Sequence, residues 1–215
     1  MAAREDPKDK YKRLSEYEEQ ALADGHVLPA GIDEAGRGPL AGPVVAAACI
    51  LSPDRPIFGL DDSKKLSEKK REALFSEIKE KAVAYAVVRI ENDVIDEINI
   101  LEATKHAMRS CVAGLPVKPD CLLIDAVRLT GVDVPVIPII KGDAKSNSIA
   151  AASILAKVTR DHIMKQYDEE FPGYDFSQHK GYGTKAHYEA IHRLGFSPIH
   201  RRSFLSNLHY EDETK

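Results

Sequence analysis

Two adjacent acids interrupt an apolar segment near the start of this 215-residue chain. Asp33 and Glu34 lie in the run Ala30-Gly-Ile-Asp-Glu-Ala-Gly-Arg-Gly38, so a glycine–arginine–glycine turn follows them directly. Buried carboxylates carry a large desolvation cost unless a metal ion or another cation compensates them. Glycines let backbone amides approach a ligand closely, because no Cβ intervenes. The segment therefore predicts a metal site beside a loop that contacts phosphate or sugar.

The rest of the chain alternates strand-like and helix-like patterns. Apolar runs predict strands at residues 27–34, 43–51, 82–90, 121–125 and 134–140, the last near a sheet edge because it contains prolines. Apolar spacing and capping residues predict helices at residues 68–81, 99–112, 148–167 and 184–194, with Ser67 and the serines at 146 and 148 as caps. Strands with helices between and after them predict an α/β fold.

We expect three segments in the chain. Residues 1–26 are rich in charge and carry a weak stripe of Leu14, Tyr17 and Leu22, which predicts a helical lead-in packed loosely on the body. Residues 27–170 form the catalytic α/β body. Residues 171–215 form a helical substrate-binding extension that makes one compact unit with the body.

Composition limits the partners and the compartment. A net charge of −4 argues against a protein that coats nucleic acid, yet residues 177–210 are locally basic, which suits a polyanion held at one face. The basic residues of that stretch are Lys180, Lys185, Arg193, Arg201 and Arg202. Three separated cysteines predict buried free thiols in a reducing compartment. Without a signal segment or an apolar run of about 20 residues, we expect a cytoplasmic protein that does not contact membranes.

Four acids occupy the kind of position where sites assemble in α/β proteins. Each lies at the end of an apolar strand or the start of a helix: Asp33, Glu34, Asp125 and Asp143. Any one of them alone is more often a helix cap or an ion-pair partner, but their shared placement favours a common site. Oxygen ligands without cysteine or suitably spaced histidine favour Mg²⁺ or Mn²⁺ over zinc. Two such ions about 3.5–4 Å apart can hydrolyse a phosphodiester.

Other polar residues fit structural or surface roles. Asp161 follows Asp143 by 18 residues, mostly along a helix, so the two lie of order 25 Å apart and Asp161 is expected to pair with Arg or Lys instead. The eight histidines show neither a catalytic partner nor metal-ligand spacing, and we expect most of them at the surface or near phosphate.

The ordered motifs resemble those of prokaryotic type 2 ribonuclease H, the ribonuclease HII family, over about residues 27–205. The resemblance rests on Gly31-Ile-Asp-Glu-Ala-Gly-Arg-Gly-Pro-Leu-Ala-Gly-Pro43, Asp62-Ser-Lys-Lys-Leu-Ser67, Lys141-Gly-Asp-Ala-Lys145, Ile149-Ala-Ala-Ala-Ser-Ile-Leu-Ala-Lys157, His179-Lys-Gly-Tyr-Gly-Thr184 and His200-Arg-Arg-Ser-Phe204. It implies a ribonuclease H-like mixed sheet flanked by helices, with a helical C-terminal extension.

The same resemblance implies an activity. Members hydrolyse the RNA strand of RNA/DNA hybrids and cut on the 5′ side of a single ribonucleotide in duplex DNA, which leaves 3′-hydroxyl and 5′-phosphate ends. The cofactors implied are two divalent ions, Mg²⁺ or Mn²⁺. The partner implied is the nucleic acid, with no obligate protein partner, and we expect a monomer.

Residue roles transfer position by position. Asp33, Glu34, Asp125 and Asp143 match the metal-binding acids, and Asp33 matches the bridge between the ions. The turn Gly36-Arg37-Gly38 matches the segment that contacts the 2′-hydroxyl, and Tyr182 matches the tyrosine that packs on the sugar at the junction. Lys64 and Lys180 are candidate phosphate contacts. The chain departs from the family at Ala126, where glycine is frequent, which affects loop geometry more than charge.

Two other functions remain open. One is another nuclease built on the ribonuclease H fold, such as a junction resolvase or a transposase-like enzyme. The second is a hybrid-binding module without catalysis. The glycine–arginine–glycine turn opposes the first, and the four acids oppose the second because carboxylates without metal ions weaken binding to a polyanion.

Overall fold

A mixed five-stranded sheet with helices on both faces forms the body of the computed structural model, which describes residues 5–125 and 127–206. The order across the sheet is β3-β2-β1-β4-β5. The first three strands pair antiparallel, and β4 pairs parallel with both β1 and β5. The strands are β1 (Pro29–Ala35), β2 (Val44–Ile50), β3 (Ala84–Ile90), β4 (Cys121–Asp125) and β5 (Val136–Ile139).

Eight helices are present in the described residues, in addition to 3-10 turns at Gly142–Ala144 and Arg202–Phe204. They are α1 (Pro7–Leu14), α2 (Glu16–Ala23), α3 (Glu68–Lys81), α4 (Asn92–Ile98), α5 (Ile100–Gly114), α6 (Asn147–Glu170), α7 (Phe176–His179) and α8 (Lys185–Leu194). No helix in the described part of the chain has the length and apolar character to cross a membrane.

The sheet separates two apolar layers. On one face α3 and α6 pack against β2 through residues such as Leu74, Ile154 and Val45. On the other face α5 packs against β1, β2 and β4 through residues such as Met108, Ile32 and Ile124. Every residue of β2 is buried, as its continuous apolar sequence predicts for a strand covered on both faces.

The N-terminal turn of α6 lies directly on the backbone of β1. A Cβ added at Gly31 would fall 2.0 Å from the carbonyl carbon of Ser148, so only glycine permits this approach. The contact fixes the start of α6 against Gly31, which lies two residues before Asp33 in β1. The fold therefore ties the strand that carries the adjacent acids to the helix that follows Asp143.

Most of the predicted elements are confirmed. Helix α3 has the predicted bounds, and its cap Ser67 accepts a hydrogen bond from Lys70 N. Strand β5 is an edge strand, as its prolines indicated. The three cysteines are buried free thiols. The predicted helix over residues 99–112 corresponds to α5, whereas the short helix α4, which ends before Asn99 at φ 66°, was not predicted.

The N-terminal lead-in is helical, but the prediction of loose packing was wrong. It forms two helices that meet at Ser15, and Leu14 is fully buried. The predicted stripe fails at Leu22, which is half exposed, whereas Ala21 is buried in its place. Ala126 and residues 207–210 of the basic stretch lie outside the described residues.

Candidate active site

The adjacent acids and Asp125 lie at the same end of the sheet, at the C-terminal ends of β1 and β4. Strands β1 and β4 are parallel neighbours whose pairing ends at Ile32 and Ile124, so the next residues, Asp33 and Asp125, lie side by side where the two strands separate. Both acids are still within the sheet, because Asp33 pairs with β2 and Asp125 pairs with β5. Asp33 is only 7% exposed. The carboxyl ends of parallel strands are where α/β proteins place their sites, and here the sheet delivers three carboxylates to one edge.

Asp33 and Glu34 have few polar partners for carboxylates this buried. Asp33 Oδ1 accepts a hydrogen bond from the Glu34 amide at 2.8 Å, and the Ser153 hydroxyl on α6 also stabilises its charged form. Glu34 Oε1 accepts a hydrogen bond from Arg37 Nη1 at 3.3 Å. Its second oxygen, Oε2, is buried and has no hydrogen-bond partner among the described residues.

Asp143 comes to the same edge from the 3-10 turn before α6. The turn is fastened to β4 because Gly142 N donates a hydrogen bond to Asp125 Oδ1 at 2.9 Å. The pKa of Asp143 is raised, first by burial and then by the nearby charges of Asp62 and Asp125. The site thus includes a fifth acid, Asp62, that the sequence did not single out.

Electrostatics confirm that the acids crowd one another. Burial raises the pKa of Asp33 well above its usual range, and the charges of Glu34 and Asp125 raise it further. Burial also raises the pKa of Glu34, where Arg37 and Lys64 act in the opposite direction. The charge of Asp125 contributes to the raised pKa of Asp33, Glu34 and Asp143 alike, so Asp125 lies near all three.

A divalent cation fits this environment. It would offset the repulsion that raises the carboxyl pKa values and would give the buried Glu34 Oε2 a partner. All donors are oxygens, which suits Mg²⁺ or Mn²⁺. No three of these carboxylates have ligand atoms all within 4.8 Å of one another, so three of them can share one ion only after side-chain rotation.

Among the described residues, three possible ligand atoms do lie within 4.8 Å of one another in a different group: His26, Asp120 and Cys121. It lies at the opposite end of β1 and β4 from the acids. Both oxygens of Asp120 already accept backbone hydrogen bonds, from Val27 N at 2.6 Å and Leu28 N at 3.0 Å. These bonds fix the entry of the chain into β1, which is a structural role.

Two buried arginines hold the glycine–arginine–glycine turn in place. Arg201 donates hydrogen bonds to the carbonyls of Gly36, Arg37, Pro39 and Gly42 at 2.6–3.0 Å. Burial lowers the pKa of Arg201 to about 9, so it remains charged at neutral pH. The sequence suggested Arg201 as a surface residue, and that interpretation was wrong because its guanidinium is fully buried.

The second arginine, Arg160 on α6, donates to the carbonyls of Ala41, Pro43 and Lys180 at 2.9–3.0 Å. Burial lowers its pKa to about 10. Gly36 has φ +93°, and a Cβ there would lie 2.1 Å from Arg160 Nε. The glycine is therefore required both by the backbone conformation and by the arginine packed beneath it.

Tyr182 lies beside this turn. Its side chain is 45% exposed, and a Cβ added at Gly38 would be 3.7 Å from Tyr182 Cε1. The structure thus brings together two segments that lie more than 140 residues apart in the sequence. They form one surface of turn and exposed aromatic ring next to the acids.

Two buried histidines, His187 and His200, form a hydrogen-bonded pair that is attached to the Tyr182 loop. His187 Nδ1 donates to Tyr182 O at 2.9 Å, and its Nε2 accepts from His200 Nε2 at 3.0 Å. His200 Nδ1 accepts from Ser197 N, which fixes this tautomer pattern. Burial lowers the pKa of both rings to about 4, so both are neutral at pH 7. The expectation of surface histidines was wrong for these two.

The structure places the remaining candidates, Lys64, Lys180 and Asp161, in different surroundings. Lys64 is exposed and close enough to Glu34 and Asp143 to lower their pKa values. Lys180 Nζ donates to Ser177 O at 2.5 Å. Asp161 stays away from the acids and pairs with Lys157 at 2.5 Å and Arg71 at 3.7 Å, as predicted.

Comparison with known proteins identifies the family. The family model described as Ribonuclease HII matches residues 30–207. Ribonuclease HII of Ruminiclostridium cellulolyticum is 54% identical over 199 residues, which cover 93% of this chain and 78% of that protein. Ribonuclease HII of Enterococcus faecalis is 56% identical over 194 residues, or 90% of this chain and 76% of that protein. The chain belongs to the ribonuclease HII family.

Solved structures agree with this placement. The crystal structure of ribonuclease H2 from Pyrococcus horikoshii matches with a TM-score of 0.69 at 28% identity, over 82% of this chain and 93% of that one. The fold is thus the ribonuclease H-like fold that the motifs implied. As a ribonuclease HII, the chain is a ribonuclease H enzyme, an endonuclease of the class that acts on RNA/DNA hybrids.

Sequence reasoning missed four ribonuclease HII residues at or beneath this site. Asp62 and Ser153 reach the acids, and Arg160 and Arg201 carry the turn. Asp62, Ser153 and Arg201 lie within the motifs that resemble ribonuclease HII, and this was the sequence feature that could have identified them. What the motifs lacked was any indication that these side chains point inward.

Proposed function

We propose that this enzyme cuts the RNA strand of RNA/DNA hybrids and also cuts duplex DNA on the 5′ side of a single embedded ribonucleotide. In this hydrolysis a water oxygen bonds to phosphorus and the bond to the 3′ oxygen breaks. The products carry a 3′-hydroxyl and a 5′-phosphate. The observation that carries the proposal is the convergence of Asp33, Glu34 and Asp143 around Asp125 at one sheet edge.

The acids are proposed as the ligands of two divalent ions, Mg²⁺ or Mn²⁺. When bound, such ions supply activation of the attacking water and charge neutralisation at the leaving oxygen. Asp33 is the candidate bridge, because it is the most buried of the acids and adjoins both Glu34 and Asp125. Lys64 and Lys180 are proposed to contact substrate phosphates.

Discrimination between RNA and DNA is proposed for the turn beside the acids. Arg201 donates to the carbonyls of Gly36 and Arg37, and Arg160 packs against Gly36, which favours one fixed position for the amides of this turn. The 2′-hydroxyl is the group that distinguishes a ribonucleotide from a deoxyribonucleotide. Tyr182, exposed beside Gly38, is proposed to pack on the sugar at the junction.

A duplex with one ribonucleotide and a label at its 5′ end tests the proposal. With Mg²⁺ or Mn²⁺ in turn, we expect one cut on the 5′ side of the ribonucleotide and retention of the DNA strand opposite. Asp143→Asn is expected to lower the rate at least about 100-fold without unfolding the protein, because it removes one metal ligand. Retention of more than a few per cent of activity would overturn the assigned role of Asp143.

Tyr182→Ala separates recognition from folding. We expect junction cleavage to fall at least about tenfold, the scale of one lost base or sugar stacking contact. The melting temperature should stay near that of the wild type because the ring is exposed. An equal loss of stability and activity would make Tyr182 a structural residue.

The same cleavage assay tests the two other functions. A nuclease of the resolvase type would cut an all-DNA junction or duplex as fast as the hybrid. A non-catalytic module would bind the hybrid without metal ions and leave it intact. The arrangement of turn and tyrosine beside the acids favours the ribonuclease over both.

A further inference from the structure

The N-terminal helices attach to the start of α6 through one carboxylate. Glu18 Oε1, on α2, accepts hydrogen bonds from Ser146 Oγ at 2.6 Å, Ser148 Oγ at 2.6 Å and Ser148 N at 2.8 Å. These residues form the N-cap and first turn of α6, 128–130 residues away in the sequence. The first turn of α6 has no acid of its own, so Glu18 supplies the negative charge that a helix N-terminus favours.

A second set of bonds fixes the corner between α1 and α2 on the same turn. Asn147 Nδ2 donates to Tyr11 O at 2.8 Å and to Ser15 Oγ at 3.0 Å. Asn147 is 2% exposed. The lead-in therefore grips three consecutive residues of α6, at 146–148, and does so through polar contacts that depend on geometry as well as on burial.

This grip lies next to the segment that carries Asp143. Ser146 N and Lys145 N both donate to Gly142 O, so the 3-10 turn and the start of α6 form one hydrogen-bonded unit. The same unit reaches β4, because Gly142 N donates to Asp125 Oδ1. A displacement of the first turn of α6 would therefore move Asp143 relative to Asp125.

The lead-in also touches the loop that holds Asp62. Lys10 forms an ion pair with Asp61, and the ring of Tyr11 packs against Phe58 with centroids 5.5 Å apart. Asp62, the next residue, lies against Asp143. Two separate contacts of the lead-in thus border the acids, one at the start of α6 and one at the Asp61 loop.

We propose that α1 and α2 form a brace that sets the spacing of the catalytic acids, and that Glu18 is its positioning residue. Glu18 acts through Ser146 and Ser148 and touches neither substrate nor ion. The brace keeps the turn that carries Asp143 against β4, where Gly142 N donates to Asp125 Oδ1. This inference rests on the proposed function, since it assigns metal binding to those acids.

The test measures Mn²⁺ binding to the whole chain, from the electron paramagnetic resonance signal of free Mn²⁺. For Glu18→Ala we expect the dissociation constant to rise about tenfold, as for loss of a group that orients a metal ligand. The matched control is Glu16→Ala, which removes an exposed acid of the same helix and should change the constant by less than about twofold. Glu18→Gln separates charge from hydrogen bonding and should give an intermediate value.

Hydrogen exchange of the metal-free protein gives a readout independent of catalysis. Amides of residues 142–150 should exchange faster in Glu18→Ala than in Glu16→Ala, whereas those of α5 should not change.

Unchanged Mn²⁺ binding with a lower melting temperature would make Glu18 a purely structural residue and overturn the proposal. If Glu18→Ala does not fold, Ser148→Ala removes one of the three bonds and must still weaken Mn²⁺ binding. A wild-type protein that binds Mn²⁺ but cuts no hybrid would contradict the proposed function and leave the brace testable by binding. A wild-type protein that binds no Mn²⁺ would overturn both.

Discussion

Asp33 lowers the stability of the metal-free protein at neutral pH. Burial and the neighbouring charges raise its folded-state pKa above the value in the unfolded chain. Between those two pKa values the folded state binds the proton and the unfolded state does not, so stability falls as pH rises through that window. The penalty is absent below the ordinary carboxyl pKa and is complete above the raised folded pKa.

Asp33→Asn should therefore stabilise the protein when metal ions are removed. In EDTA at pH 8 we expect the melting temperature to rise by about 2–6 °C, which corresponds to one or two kcal/mol in a chain of this size. At a pH near the ordinary carboxyl pKa the difference should shrink. Scanning calorimetry at both pH values checks this, with Asp54→Asn, an exposed loop acid, as the control.

An Asp33→Asn protein that is less stable than the wild type in EDTA would contradict this account. It would mean that the carboxylate makes a favourable interaction in the metal-free state that outweighs its desolvation. The same variant should lose the ability to cut, so gain of stability and loss of activity are expected together, as is common for strained sites.

At the residue scale the sequence could place the acids but not their neighbours. Asp33 and Glu34 follow the apolar part of β1 and Asp125 ends β4, and this local pattern places them at the C-terminal ends of those strands. Asp62 and Ser153 reach the site from a loop and from a helix, where nothing local marks a side chain that points inward. Contacts of that kind depend on how distant segments pack.

The loop from Gly36 to Pro43 is the element proposed to contact the substrate beside the acids. It has no regular hydrogen bonding of its own along most of its length, and Arg160 and Arg201 satisfy its carbonyls instead. Neither arginine forms a salt bridge with a carboxylate in the described residues, so their charge is compensated by carbonyl dipoles. A guanidinium suits this role because it presents several donors in a fixed plane.

Arg201→Lys should loosen this loop. The ammonium group can reach fewer of the four carbonyls, and each buried carbonyl left unpaired costs about 1–3 kcal/mol. We expect a clear fall in melting temperature and a higher KM for the single-ribonucleotide duplex. The neighbouring Arg202→Lys, at an exposed residue, is the control and should change both values little.

If Arg201→Lys lowers stability but leaves KM unchanged, the conformation of this loop does not affect substrate binding. Substrate contact would then have to come from residues other than the Gly36-Arg37-Gly38 turn. Hydrogen exchange of residues 36–42 in both variants would show directly whether the loop is loosened.

At the element scale, predictions succeeded where a capping residue or a continuous apolar run marks an end. Ser67 and Ser146 cap helices as predicted, and the helix predicted from residue 184 begins at Lys185 with Thr184 as its cap. The lead-in was harder, because its anchoring is polar: Glu18 and Asn147 form its contacts, and neither belongs to an apolar stripe. A hydrophobic pattern therefore underestimates how firmly such a segment is attached.

At the scale of the whole molecule, local patterns predicted the fold class but not the order of strands. Strand β4 inserts beside β1 although 85 residues separate Ala35 from Cys121. That pairing sets Asp125 next to Asp33, and it is decided by long-range packing of α5 and α6 on opposite faces. Only the resemblance of the ordered motifs carried this information.

The distribution of charge on the molecule predicts how its affinity for nucleic acid should depend on salt concentration. The chain is acidic overall, at −4, so a polyanion is attracted only where basic side chains gather. Lys64 lies beside the acids, and Lys180 adjoins the Tyr182 loop. If these lysines neutralise substrate phosphates as proposed, binding releases counterions and the affinity falls as the salt concentration rises.

The Asp143→Asn variant, which we expect to be inactive, allows this to be measured on an intact RNA/DNA hybrid. We expect Lys64→Gln and Lys180→Gln, each added to it, to reduce the slope of log affinity against log salt by about one. Lys118→Gln should leave the slope unchanged, because this exposed lysine precedes β4 at the end opposite Asp125. An unchanged slope in Lys64→Gln would assign that lysine to moderating the acids, whose pKa values it lowers, instead of to holding phosphate.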